Sequence, residues 1–291
     1  MAYRHIEVRP SSGALGAEVG NVDLANLTEE SFAEIHHAFL EHLVLFFREQ
    51  QLTIEAQKAF GQRFGQLYAH PYVAPVAGHP EVIEIVKDRT DRKNFGGAWH
   101  ADLTYLENPM LGAVLYALEV PPQGGDTLFA NMYLAYETLS PGMQQLLQGL
   151  IAVHDDRATG LYDQDRIRSM ALRDVATDEE GRPVGTRAEH PVLRTHPDTG
   201  RQGLFVNRIS TIGFKDMTEA ESRPLLDFLC QHLERPELTC RFRWTPGAVV
   251  LWDNRCTQHL ALNDYHGYRR AMRRVLIAGD RPYFRESELA R

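Results

Sequence analysis

Three cysteines in 291 residues, Cys230, Cys240 and Cys256, are too few to staple a fold of this size. Their number is also odd, which argues against a disulfide scaffold and for stability from apolar packing. Long hydrophobic runs are missing too. The longest near the N-terminus is "LVLFF" (43–47), far short of a bilayer span. The opening "MAYRHIEVRPSSG" has no apolar stretch of signal-peptide length. A soluble, cytoplasmic protein with no membrane partner is expected. Positive charge is in deficit, with 31 Lys and Arg against 39 Asp and Glu and a formal net charge of −8. There is no basic tail, which argues against a nucleic-acid partner. Internal repeats and a dividing linker are absent as well, so residues 1–291 read as one domain.

What is present is an ordinary globular balance, 43% hydrophobic and 24% charged. Phe32, Ile35, Phe39 and Leu43 recur at helical spacing in 27–42, with Thr28 as N-cap. Thr53 caps a second helix over 52–65, and "LVLFF" between them reads as a buried strand. "EVIEIVK" (81–87) alternates as a strand does. Beyond residue 100 strand signals dominate, at 111–118, 126–130, 202–207, 241–244, 248–252 and 271–279, separated by turn sequences such as "PPQGGD". Helices are predicted around 132–149 and 218–233. The polar connection 158–188 is a lid candidate on length and composition. The fold class is mainly β with flanking helices (α+β), a sandwich or barrel.

Two histidines and one carboxylate on one side of a metal is the arrangement of non-haem Fe(II) oxygenases. "GGAWHADLTY" (96–105) offers His100 and Asp102, which a strand would place on one face. Spacing alone does not single this pair out. A His-x-Asp or His-x-Glu pair occurs six times, at His5, His79, His100, His154, His196 and His232. Cys256 and His259 form a Cys-x-x-His pair, but no second pair completes a structural zinc site. In "YRRAMRRV" (268–275), strand geometry puts Arg270, Met272 and Arg274 on one face, with Arg269 and Arg273 on the other. Two inward arginines predict two anionic groups in the cavity, since a buried unpaired charge is costly. Arginine's planar fork suits carboxylate and sulfonate oxygens. Thr127, in the "GGDT" turn, can donate a hydroxyl to a carboxylate.

Over nearly its whole length the chain resembles the taurine dioxygenase (TauD/TfdA) family. The similarity runs through "GALGAEVGNVDL" (13–24), "FGQLYAHP" (64–71), "WHADLTY" (99–105), "GGDTLFANMYLAYETLS" (124–140), "HPVLRTHPDTGRQGLFVN" (190–207) and "WDNRCTQHLALNDYHGYRRAMRRVLIAGDRPY" (252–283). The resemblance implies a double-stranded β-helix, a cupin-like jelly-roll barrel, and Fe(II), 2-oxoglutarate and dioxygen as cofactor and co-substrates. His100, Asp102 and His259 would bind the iron. Thr127 and Arg270 would hold the distal carboxylate of 2-oxoglutarate. Arg274, His70 and the backbone at Leu103 would bind the prime substrate, a small anionic molecule. An organosulfonate releasing sulfite is expected, with an alkyl sulfate ester or an aryloxy or other carboxylate as the alternative. A homo-oligomer, dimer or tetramer, is expected with it. Gly96, Val73 and Gly160 stand where the taurine enzymes carry pocket side chains, which predicts a conserved anion clamp in an altered pocket. The rival outside catalysis is a jelly-roll protein that binds an anion without turnover.

Overall fold

The computed structural model describes residues 3–159 and 185–286. Most of the 158–188 connection, and Gly160 with it, lies outside the described residues. The helix predictions hold where local chemistry is strong. Glu29–His42 begins at Thr28, whose side chain accepts from the Ser31 backbone N–H. Ile54–Gln62 begins at Thr53, which accepts from Ala56 in the same way. Each cap satisfies an otherwise unpartnered donor of the first turn. The single helix expected around 132–149 is two, Met132–Glu137 and Pro141–Leu147, because Ser140 caps a new start with Pro141 at its first position. Glu219–Leu233 follows later, carrying a capping box between Thr218 and Glu221.

The main sheet runs Glu7–Pro10, Ala17–Gly20, Val44–Phe47, Val249–Asp253, Gly112–Glu119, Arg270–Ile277, His79–Lys87, Pro75–Val76, with Leu67–Tyr68 also paired to Arg270–Ile277. Its outer face packs on the first two helices. Leu45, Phe47, Leu251, Val275 and Ile277 meet Ile35, Phe39 and Phe60 there. Its inner face carries Val44, Phe46, Val250, Trp252, Met272 and Leu276, which pack on Phe129 and Phe242 of a second sheet. That sheet is ordered Thr239–Phe242, Thr127–Asn131, Thr257–Ala261. Val44–Phe47 is covered on both sides, which is why "VLFF" is apolar without alternation.

A third sheet (Arg187–Pro191, Ile151–Asp155, Thr211–Phe214) and the hairpin Leu193–Thr195/Gln202–Leu204 share a second apolar cluster with Leu128, Ala130 and Leu260 of the second sheet. The protein is thus mainly β with flanking helices. The facing sheets follow the jelly-roll plan, without a continuous closed hydrogen-bonded barrel among the described residues. No helix among these residues is long and apolar enough to cross a membrane.

Candidate metal and anion site

His259 lies on Thr257–Ala261, opposite Phe129 and so on the face turned to the main sheet. His100 is not on a strand, contrary to the expectation for "WHADL". It forms an isolated antiparallel bridge with His259, the two backbones exchanging N–H···O bonds of 3.1 and 2.8 Å. The chain then turns through residues 102–105, with Leu103 in the left-handed region at φ 52°. The bridge sets the two imidazole centroids 4.2 Å apart, and the turn brings Asp102 in beside them. Asp102 Oδ1 is 3.7 Å from His100 Nε2 and 3.8 Å from His259 Nε2. The three side chains thus converge as a set able to hold one metal ion.

The donors are prepared for that role. His100 Nδ1 lies 2.8 Å from the Ala98 carbonyl. That contact places the proton on Nδ1 and leaves the Nε2 lone pair facing the cluster. His259 Nδ1 has no hydrogen-bond partner; the ring is held instead by Trp252, 4.8 Å away, and Phe129, 6.2 Å away. Burial, then the neighbouring His100, keeps the His259 pKa well below that of a free imidazole, so its lone pair is available. Burial alone would raise the Asp102 pKa, but Arg274, then His259 and His100, outweigh it and hold the carboxyl below the usual range. Two imidazole nitrogens and an ionised carboxylate suit a divalent cation.

Asn254 is a functional residue that sequence reading passed over, although it stands inside the quoted "WDNRCTQH". Its Nδ2 donates to Asp102 Oδ2 at 3.0 Å, and its Oδ1 accepts from the Asp102 backbone N–H at 3.2 Å and from Trp252 Nε1 at 3.0 Å. Asn254 and Arg274 both engage Oδ2, and so turn Oδ1 toward the histidines. Asn254→Ala is expected to weaken divalent-metal affinity roughly 10–100-fold, the usual cost of removing a group that orients a ligand. Metal titration checks this, and unchanged affinity would deny Asn254 the role.

Arg270 and Arg274 do share the inner face of their strand, as alternation predicts. Arg274 is ion-paired to Asp102 and lies over the Trp252 ring. Arg270 is buried with Nε and Nη2 lacking any hydrogen-bond partner. Its guanidinium sits 5.6 Å from the Trp244 ring centroid. A cation–π contact returns up to about 2 kcal/mol, less than the several kcal/mol needed to desolvate the ion. The same Trp244 donates its indole N–H to Thr127 Oγ1 at 2.9 Å. Thr127 thereby acts as acceptor to Trp244 and keeps its own proton for an anion.

A pocket opens on the His100 and Asp102 side of this set. His70, Gly96, His100, Asp102, Leu103 and Arg274 are among its lining residues, while Thr127 and Arg270 lie outside it. His70 Nδ1 accepts from the backbone N–H groups of Tyr72 and Val73, which directs its Nε2–H outward from that loop. Val73 is buried and contributes no wall to the pocket. Gly96 has φ 75°, and a Cβ there would come within 3.2 Å of His100 Cε1. Its smallness therefore keeps both the turn and the histidine ring in place. The remaining walls are apolar or aromatic at Phe95, Ala101, Tyr105, Ile209 and Leu276, with the hydroxyls of Thr104 and Ser210 between them.

Comparison with known proteins identifies the family. Residues 7–276 match the family model described as taurine catabolism dioxygenase TauD, TfdA family. The chain is 35% identical over 296 residues to an alpha-ketoglutarate-dependent sulfate ester dioxygenase of Pseudomonas putida, covering 98% of this chain and 94% of that one. It is 34% identical over 283 residues to an alkylsulfatase of Acinetobacter baylyi, covering 95% and 86%. Among solved structures, a taurine dioxygenase from Burkholderia xenovorans superposes with a TM-score of 0.79 at 36% identity, covering 96% and 93%.

Proposed function

The chain belongs to the TauD/TfdA family and is a 2-oxoglutarate-dependent non-haem iron dioxygenase; on that premise we propose that it oxidises an organosulfur monoanion, a sulfate ester or sulfonate, at the carbon bearing the anionic group. His100, Asp102 and His259 hold the iron. Thr127 and Arg270 take the distal carboxylate of 2-oxoglutarate, and Arg274, His70 and the Leu103 backbone take the anion of the prime substrate. The whole chain acts as one domain in this reading.

Bound iron, 2-oxoglutarate and dioxygen supply the oxidant, 2-oxoglutarate leaving as succinate and carbon dioxide while one oxygen atom enters a substrate C–H bond. The protein supplies position. Arg274 anchors the anion beside Asp102, so the adjacent carbon faces the cluster. The apolar walls exclude water from the reacting carbon. A hydroxyl placed on that carbon leaves a hemiacetal-like ester or an α-hydroxysulfonate. Collapse to the aldehyde breaks the C–O bond of a sulfate ester or the C–S bond of a sulfonate, releasing sulfate or sulfite.

The pocket composition carries the choice of substrate. Among the described residues Asp102 is the one acidic residue lining it, and Asp102 is committed to Arg274, Asn254 and the histidines. A zwitterion such as taurine would bring an ammonium group with no uncommitted carboxylate to receive it among the described lining residues. A monoanion with an uncharged organic part meets an arginine at one end and apolar walls at the other. The two relatives named for sulfate esters support the same class. Succinate formation across alkyl sulfates, alkanesulfonates, taurine and aryloxy acids tests it. An alkyl sulfate should turn over fastest, with sulfate and succinate released in equal amounts, and taurine should be among the slowest. Taurine outrunning every alkyl sulfate and alkanesulfonate would overturn the reading.

A further inference from the structure

We propose that Lys87 is a second cation for 2-oxoglutarate, holding the distal carboxylate together with Arg270. Lys87 ends the strand His79–Lys87, and its Cα partner on Arg270–Ile277 is Arg270 itself. Residues directly opposite in an antiparallel pair point to the same face with Cβ atoms about 5 Å apart. The face is fixed by the neighbouring pairs. Met272 stands opposite Ile85, and both pack into the core between the two sheets. Lys87 and Arg270 therefore both point inward.

Both are nearly inaccessible, at 4% and 6% exposure. The Lys87 ammonium has no hydrogen-bond partner, nor do Arg270 Nε and Nη2. Every other buried lysine or arginine among the described residues is matched. Arg194 pairs with Asp280, Arg255 with Asp253 and Asp198, and Arg274 with Asp102, while Arg273 donates to Gln57 and the Leu52 carbonyl. Lys87 and Arg270 instead meet aromatic faces, Tyr265 at 4.5 Å and Trp244 at 5.6 Å. Those rings offer charge density but do not neutralise a charge. Asp126 lies near enough to attract Arg270, and its Oδ1 is unpartnered, but its Oδ2 accepts from Arg241 at 2.7 Å and no hydrogen bond joins it to Arg270 or Lys87.

Two like charges directly opposite one another destabilise a sheet, more so when desolvated. The arrangement makes sense as a site kept ready for an anion with two oxygens, one for each cation. A distal carboxylate is that group, and this inference rests on the reading of the pocket given above.

The test is calorimetric titration of the Mn(II)-loaded protein, without oxygen, with 2-oxoglutarate and with 2-oxovalerate, which has a methyl group in place of the distal carboxylate. Lys87→Gln should weaken 2-oxoglutarate binding roughly tenfold or more, as loss of a charge-assisted contact does. Its 2-oxovalerate affinity should stay unchanged, and Lys87→Arg should recover much of the loss. Without ligand, Lys87→Gln should melt higher than the wild type, because the like-charge pair is relieved. Wild-type 2-oxoglutarate affinity in Lys87→Gln, or equal loss for both keto acids, would overturn the proposal. A wild type that binds no 2-oxoglutarate would instead overturn the underlying reading of the pocket, and this one with it.

Discussion

Asp102→Ala abolishes succinate formation, a loss expected to exceed the roughly 100-fold upper range seen when only a ligand's orienting partner is removed. The reason is the number of tasks on one carboxylate. Its Oδ1 is the atom within 3.8 Å of both imidazole Nε2 atoms, while its Oδ2 meets Asn254 and Arg274. Removing it takes away the only anionic donor of the cluster and leaves Arg274 buried without its counter-ion, which costs about 3–5 kcal/mol of stability. Asp102→Asn keeps most of the shape and serves as the control for folding. Anaerobic addition of Fe(II) and 2-oxoglutarate, followed by visible absorbance, separates the two effects. A folded Asp102→Asn protein should lack the charge-transfer band of the wild type, whereas full turnover by either variant would remove Asp102 from the ligand set.

Arg270→Ala raises the 2-oxoglutarate requirement by roughly 100-fold or more, in line with the 2–5 kcal/mol that truncating a buried charged partner costs. Prime-substrate affinity should change far less, because Arg270 lies outside the pocket that Arg274 lines. Arg274→Ala gives the converse pattern. With Fe(II) supplied in excess to offset the loss of Asp102's partner, 2-oxoglutarate still binds and is consumed, but substrate oxidation is uncoupled from it. Steady-state kinetics in both substrates, with succinate and product measured together, resolve the two. If both variants lost the same parameter, the division of labour between the arginines would fail.

How much of this was legible in the sequence depends on the range of the contact involved. Thr28 and Thr53 could be read as caps because the N–H groups they satisfy are three residues away. The inward placement of Arg270 and Arg274 could be read because alternation along one strand is a local property. The split at Ser140 and Pro141 was also local and was missed, since the apolar pattern on either side continues through it. Strand Thr257–Ala261 was missed because its buried positions include Thr257, Gln258 and His259, polar residues that carry no strand signal. His100 and Asp102 illustrate the limit most clearly. Six His-x-acid pairs look alike in sequence. What distinguishes one of them is Asn254, 152 residues from Asp102, and the backbone bridge to His259. Lys87 went unremarked for the same reason, because nothing in "EVIEIVK" states which residue will stand across from it.

Arg270–Ile277 is an interior strand, flanked by Gly112–Glu119 on one side and His79–Lys87 on the other. On a ribosome those two neighbours emerge well before it. Until residues 270–277 arrive, each presents an open edge able to pair with the wrong strand. The same late segment brings both inward-facing arginines, and His259 precedes it only shortly in synthesis. Sheet closure and completion of the metal and anion sites are therefore one event in the life of the nascent chain, and a stalled or prematurely cleaved product would have neither.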